Sequence, residues 1–153
     1  MISKKTKYGL KALLTLAQEY GRGPVLIAEL AERERIPKKF LELILLQLKN
    51  AGILGSRKGK GGGYFLAKDP AQITMGRAIR VLEGPLAPVP CASETAYRKC
   101  EECEDETTCG IRLVMKDVRN AIAGILDNTS LQEVVARSAA AAQGRDQALN
   151  FQI

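Results

Sequence analysis

Residues 56–67 read SRKGKGGGYFLA, three cationic side chains and four glycines set directly before an aromatic and apolar run. Such a segment suits a nucleotide phosphate cradle, a flexible linker or the tip of a hairpin. A P-loop requires Ser or Thr after Gly-Lys to hold magnesium, whereas Gly59-Lys60 is followed by Gly61, and no strand-then-helix pattern surrounds it. Ile53-Leu54 before the segment and Tyr64-Phe65-Leu66 at its end have strand-forming composition, so the glycines between them turn a hairpin. Arg57, Lys58 and Lys60 then project at its tip, where they reach phosphates or a narrow minor groove.

What precedes the hairpin gives it a context. Leu10, Leu13, Leu14 and Ala17 recur at helical spacing, predicting a core-facing helix that ends near Tyr20-Gly21. After the turn GRGP, a short second helix over 26–34 buries Ile27, Leu30 and Ala31. Pro37 suits the first turn of a third helix, because its missing N–H has no partner there in any case. That helix buries Leu41, Ile44, Leu45 and Leu48, turns Lys38, Lys39, Glu42, Gln47 and Lys49 elsewhere, and stops at Gly52. Two short helices joined by a tight turn, the second opening with cationic residues, form the helix-turn-helix pattern, and the following hairpin makes it winged.

Charge agrees with that placement. The chain of 153 residues carries a net charge of +6, but residues 1–68 hold 14 Lys and Arg against 5 Asp and Glu (+9), and residues 69–153 hold 9 against 12 (−3). The N-terminal half is therefore the polyanion-binding candidate, with residues expected to contact DNA at Lys38, Lys39, Glu42, Arg57, Lys58 and Lys60. With 46% hydrophobic residues the chain builds one core rather than staying disordered. It offers neither a membrane-spanning run nor a signal-peptide stretch, so a cytoplasmic protein without membrane contact is expected.

The order YGLKALLTLA, GPVLIAELAERERIP, KKFLELILLQLKNAGIL, SRKGKGGGYFLAKDPAQITMGRAIRVLEGPLAPV, followed by a cysteine cluster and a hydrophobic helix, resembles the Rrf2 family of bacterial winged-helix regulators (the IscR, NsrR and CymR type) over roughly residues 1–135. The resemblance implies a homodimer on double-stranded DNA at a partly palindromic operator, with binding that responds to an iron-sulphur cluster or another signal. It also implies base contacts at Lys39 and Glu42 and a minor-groove contact at Lys58. Of these only Glu42 keeps the residue type, and Glu accepts from a cytosine amino group.

All four cysteines lie between Cys91 and Cys109, spaced Cys91-x8-Cys100-x2-Cys103-x5-Cys109. Thiolates hold iron-sulphur clusters, and four of them also suit zinc or a thiol switch that closes a disulfide. The resemblance implies Cys91, Cys103 and Cys109 as cluster ligands. A fourth ligand, histidine in that resemblance, falls on Arg112, and the chain contains no histidine, which makes Cys100 the candidate. A 2Fe-2S cluster is the expected cofactor, with 4Fe-4S or zinc as alternatives. A thiol-disulfide oxidoreductase ranks lower, because Glu101, Glu102, Glu104, Asp105 and Glu106 crowd the Cys100-x2-Cys103 pair and negative charge raises a thiol pKa. A winged helix that binds only protein is the remaining rival.

After Cys109 the sequence GIRLVMKDVRNAIAGILDN places Ile111, Val118 and Ile125 seven apart with Met115 and Ile122 beside them, an apolar seam suited to pairing two copies of one helix. The expected organisation is a winged helix-turn-helix over 1–84, a cysteine loop over 85–109, a dimerisation helix and last short helix over 110–142, and a tail over 143–153. The expected fold class is mainly α with a small β-hairpin wing.

Overall fold

The computed structural model describes residues 2–151. Among them, six α-helices and a two-stranded antiparallel hairpin follow one another as α1 (Lys4–Gln18), α2 (Ile27–Glu34), α3 (Lys38–Asn50), β1 (Leu54–Arg57), β2 (Gly63–Leu66), α4 (Met75–Leu82), α5 (Gly110–Leu126) and α6 (Leu131–Asn150). Helix α1 lies at the centre and touches α2, α3, β2, α4 and α6. No helix of the described residues is long and apolar enough to cross a membrane.

Central placement changes which face of α1 is buried. Its fully covered residues are Thr6, Gly9, Ala12, Leu13, Thr15 and Leu16, whereas the expected Leu10, Leu14 and Ala17 are half-buried. Surrounded on several sides, α1 uses small residues for close packing: a Cβ on Gly9 would stand 2.5 Å from a Leu82 methyl. Thr15 is buried because its hydroxyl donates to the Glu34 carboxylate, which offsets the cost of removing it from water.

Helix α3 buries the expected Leu41, Ile44, Leu45 and Leu48, each at most 1% exposed. Pro37 is its N-cap rather than its first helical residue. At the other end Gly52 adopts φ 75°, its N–H reaching Lys49 O at 2.9 Å while Ile53 N–H reaches Leu48 O at 3.0 Å. This pair of bonds satisfies the last carbonyls and turns buried Ile53 back onto the core.

The wing pairs Leu54 with Leu66 through Arg57 with Gly63. Ile53 precedes the strand, and Arg57 sits on β1 rather than at the tip. Val25 extends the hairpin on its other edge, bonded to Tyr64 in both directions at 2.8 and 2.9 Å. This third segment explains one of the glycines, and the hairpin itself another. At Gly63, φ is 140° and a Cβ would lie 2.2 Å from Val25 O, while at Gly62 it would lie 2.3 Å from Arg57 O. Backbone demands both, the neighbouring Val25 segment at Gly63 and the hairpin itself at Gly62.

Beyond the winged helix-turn-helix of α1–α4 and the hairpin, here called the reading head for its expected role, the turn between α5 and α6 is stitched to α4. Met75 N–H donates to Thr129 O and Leu131 N–H to Ile73 O, both at 2.9 Å, and Leu131 is fully buried. Helix α6 then packs on α1 and on the Pro70–Gln72 turn. It continues to Asn150 instead of stopping near Ala142, so the expected tail is helical through residue 150, with every residue from 136 to 151 exposed. Gln152 and Ile153 lie outside the described residues.

Candidate nucleic-acid interface and cysteine cavity

A groove of about 490 Å³ opens between the start of α2 (Leu26, Ile27, Ala28), one side of α3 (Lys38, Glu42, Lys49) and the wing (Ser56–Gly59 and Gly62–Tyr64). Four of the six expected contact residues, Lys38, Glu42, Arg57 and Lys58, line it together. Lys39 and Lys60 are exposed but lie outside its lining, Lys39 on the outermost side of α3 and Lys60 in the loop. Lys49 is a groove residue that the sequence reading set aside, although its spacing of seven from Glu42 places it on the same line of the helix. Four cations around one carboxylate make a positive channel flanked by backbone, suited to a phosphate-lined duplex.

The cysteines line a separate cavity, sharing no residue with the groove. Cys91 belongs to the Pro90–Ala92 turn, Cys100 and Cys103 to the following loop, and Cys109 is the N-cap of α5. All four line one cavity of about 470 Å³, together with Arg98, Lys99, Glu106 and Arg112. They are free thiols, Cys100 exposed and the others half-buried. Among the described residues no three His, Cys, Asp or Glu side chains are gathered as a metal ion requires, so the thiols share a cavity without forming a cage. In donor type they fit an iron-sulphur cluster or zinc, and holding either requires the loop carrying Cys100 and Cys103 to draw in toward Cys91 and Cys109.

The two half-buried thiols flanking the loop differ electrostatically. Cys109 makes no formal side-chain cap, yet the Arg112 N–H in the first turn of α5 faces its sulphur and, together with contact from Cys103, pulls its pKa below the ordinary thiol value. Burial, followed by the neighbouring Cys109, pushes the Cys103 thiol up. The acids expected to dominate contribute least: only Glu106 acts on Cys103, after the other causes. Arg112, at the position where the resemblance places a ligand, instead donates from Nε to Cys91 O at 3.0 Å.

The expected α5 seam residues differ in exposure. Ile111, Val118 and Ile125 are 70%, 38% and 65% exposed, but Met115 and Ile122 are half-buried toward their own chain. Val114 (57%) and Ala121 take their places on the open face, so Ile111, Val114, Val118, Ala121 and Ile125 recur at intervals of three and four. The opposite side of α5 is tied down by Arg119, which reaches Glu94 at 2.6 Å, and by Asp127, which meets Arg80 of α4.

Residues 2–137 match the Rrf2 family, described as an iron-dependent transcriptional regulator. An rrf2-like HTH-type transcriptional regulator of Rhodobacter capsulatus is 42% identical over 146 residues, covering 94% of this chain and 97% of that protein. The HTH-type transcriptional regulator IscR of Serratia proteamaculans is 30% identical over 88% of this chain and 78% of its own. Among solved structures, CymR, the global cysteine regulator of Bacillus subtilis, superposes with a TM-score of 0.74 at 34% identity, over 90% of this chain and 97% of that one. These relatives are regulators rather than enzymes, and with a winged reading head of the same construction this chain belongs to the Rrf2 family of DNA-binding transcriptional regulators.

Proposed function

We propose that the chain works as a cytoplasmic homodimer on a partly palindromic operator, and that an iron-sulphur cluster, 2Fe-2S in the first instance, held by the Cys91–Cys109 segment controls its binding. The observation carrying this reading is the convergence of all four thiols on one cavity at the foot of α5. The family's description as iron-dependent and the relationship to IscR support it. Cys91, Cys103 and Cys109 would hold the group, with Cys100 supplying the fourth thiolate. When bound, the group supplies a redox-active, oxidant-sensitive centre.

The chain's own residues then relay the state of the loop. Arg112 fastens the Cys91 backbone to α5 and Arg119 fastens Glu94, so a rearranged loop pulls on one face of α5. The C-terminal end of α5 is clamped to α4 by Arg80 and Asp127, and α4 packs against α1 and α3. In a dimer joined along α5, tilting that helix resets the separation of the two α3 helices, which shifts the population able to span both half-sites.

A second reading rests on Cys103 and Cys109, two half-buried thiols that line the same cavity and act on each other electrostatically. Hydrogen peroxide would oxidise this pair to a disulfide, its two electrons passing to the peroxide and both thiol protons leaving in two waters. The relationship to CymR, a global cysteine regulator whose Staphylococcus aureus form is also solved oxidized, supports a thiol mechanism.

The deciding experiment is an absorption spectrum of protein purified without oxygen, with iron, sulphide and zinc content measured on the same sample. Matched iron and sulphide with a visible charge-transfer band establish the cluster. A colourless protein that resists reconstitution rejects it and leaves zinc or the thiol pair. Equal operator affinity in the loaded and cluster-free states rejects control by the cluster.

A further inference from the structure

Helix α3 carries two exposed leucines on the side turned away from the core. Lys39, Leu43, Leu46 and Asn50 follow at intervals of four, three and four, opposite the buried Leu41, Ile44, Leu45 and Leu48. Leu43 is 67% exposed and Leu46 48%, more than any other leucine of the reading head except the α2 cap Leu26. Phe40, the other exposed apolar residue of α3, is accounted for within the chain by its edge contact with Tyr8, ring centroids 5.8 Å apart. No aromatic pairing covers Leu43 or Leu46, which lie outside the groove lining but next along α3 to Glu42, itself a groove residue with Lys38 and Lys49.

We infer that Leu43 and Leu46 are specificity residues that read the C5-methyl groups of thymines beside the base contacted by Glu42. The inference rests on the DNA-binding reading of α3. Charge selects the occupant: the leucine pair is bordered by Lys38, Lys39 and Lys49 with Glu42 as the one carboxylate on this side of the helix, which favours a polyanion over an apolar protein surface. In the major groove the one apolar feature that differs between base pairs is the thymine methyl. Glu42 accepts from a cytosine amino group, so each half-site should hold a cytosine with thymine on either strand at one or two neighbouring steps. Leucine cannot hydrogen-bond a base edge, and its discrimination comes from taking a methyl and its own side chain out of water.

The test uses full-length protein prepared without oxygen. Duplexes are selected from a random pool, and each thymine of the selected half-site is then replaced singly by uracil, which removes only the methyl. Replacement at the positions beside the cytosine should weaken wild-type binding roughly fourfold, the size expected for one methyl withdrawn from water. Leu43→Ala and Leu46→Ala should bind the thymine and uracil versions equally, and Leu43→Gln should move the preference at its position toward adenine. Both leucines are exposed, so the variants leave the core intact. The assignment is overturned if no uracil substitution matters, if the methyl preference survives in both alanine variants, or if those variants change the sedimentation of the protein and not its methyl preference. Failure to enrich any sequence is a different result, and it would undo the duplex-binding role of α3 itself.

Discussion

Arg80 on α4 holds Asp127, the C-cap of α5, through both guanidinium nitrogens at 2.5 and 2.9 Å. Their hydrogen bond lowers the pKa of the Asp127 carboxyl and raises that of Arg80. Gly76 leaves room for the pair: a Cβ there would stand 2.0 Å from Asp127 Oδ1. The bridge is the side-chain link between the reading head and the end of α5, so it bears on regulation more than on stability. Asp127→Ala should cost about 1 kcal/mol in urea unfolding, as for a well-oriented but partly exposed pair. It should also compress the difference in operator affinity between loaded and cluster-free protein. Gly76→Ala, which displaces the carboxylate without removing it, should reproduce both effects; an undiminished affinity difference in both variants would show that α4 does not carry the signal.

The wing separates charge from shape. Lys58→Ala and Lys60→Ala each remove one cation, and each should lower the slope of log affinity against log salt by about one, with little dependence on operator sequence. Gly63→Ala changes no charge but drives a methyl into the Val25 carbonyl and forces a non-glycine residue to φ 140°. Its expected signature is weaker binding at every salt concentration with the slope retained, read from fluorescence anisotropy titrations between low and moderate salt.

Several of these residues were legible in the sequence for physical reasons. Leu41, Ile44, Leu45 and Leu48 form one continuous buried side of α3, opposite an exposed one, so periodicity alone decides the face. The same rule failed on α1, because a helix packed on many sides buries small and polar residues such as Gly9 and Thr6 that hydrophobic spacing does not mark. Residues 143–150 (QGRDQALN) are mostly polar and carry no apolar stripe, which kept this end of the helix out of view. At the site, Lys38, Glu42, Arg57 and Lys58 were findable from motif position, whereas the Cys109 thiol is tuned by backbone N–H groups that exist only once α5 has formed.

Acid should loosen the junction between α1 and α4. Glu83 Oε2 accepts from Ser3 N–H at 3.0 Å, from Ser3 Oγ at 2.6 Å and from the Thr6 hydroxyl, and these bonds lower its pKa from 4.5 to about 2. With the folded-state pKa below the unfolded one, the stabilisation is complete above about pH 4.5 and disappears as pH falls toward 2. Glu83→Gln should be less stable than wild type near pH 7, and the two proteins should converge toward pH 2 because only one of them loses a carboxylate interaction. Urea midpoints across that range provide the comparison, and parallel curves would remove Glu83 from the acid response.

The α5 seam can be tested by its two sides. Val114 and Val118 are 57% and 38% exposed, while Met115, between them in sequence, is half-buried toward its own chain. If two copies pair along the open face, Val114→Asp or Val118→Asp places a charge in a desolvated interface and should yield monomers in sedimentation with unchanged helical circular dichroism. Met115→Asp instead buries its charge within the protomer, so it should lower the melting temperature of whatever oligomer forms. Splitting the dimer also removes the second reading head, and affinity for a two-half-site operator should fall toward that for a single half-site. Dimers that persist in both valine variants would place the pairing surface elsewhere than α5, and the path from cysteine loop to recognition helix would then have to run within one protomer, through Arg119, Arg112 and the Arg80–Asp127 clamp.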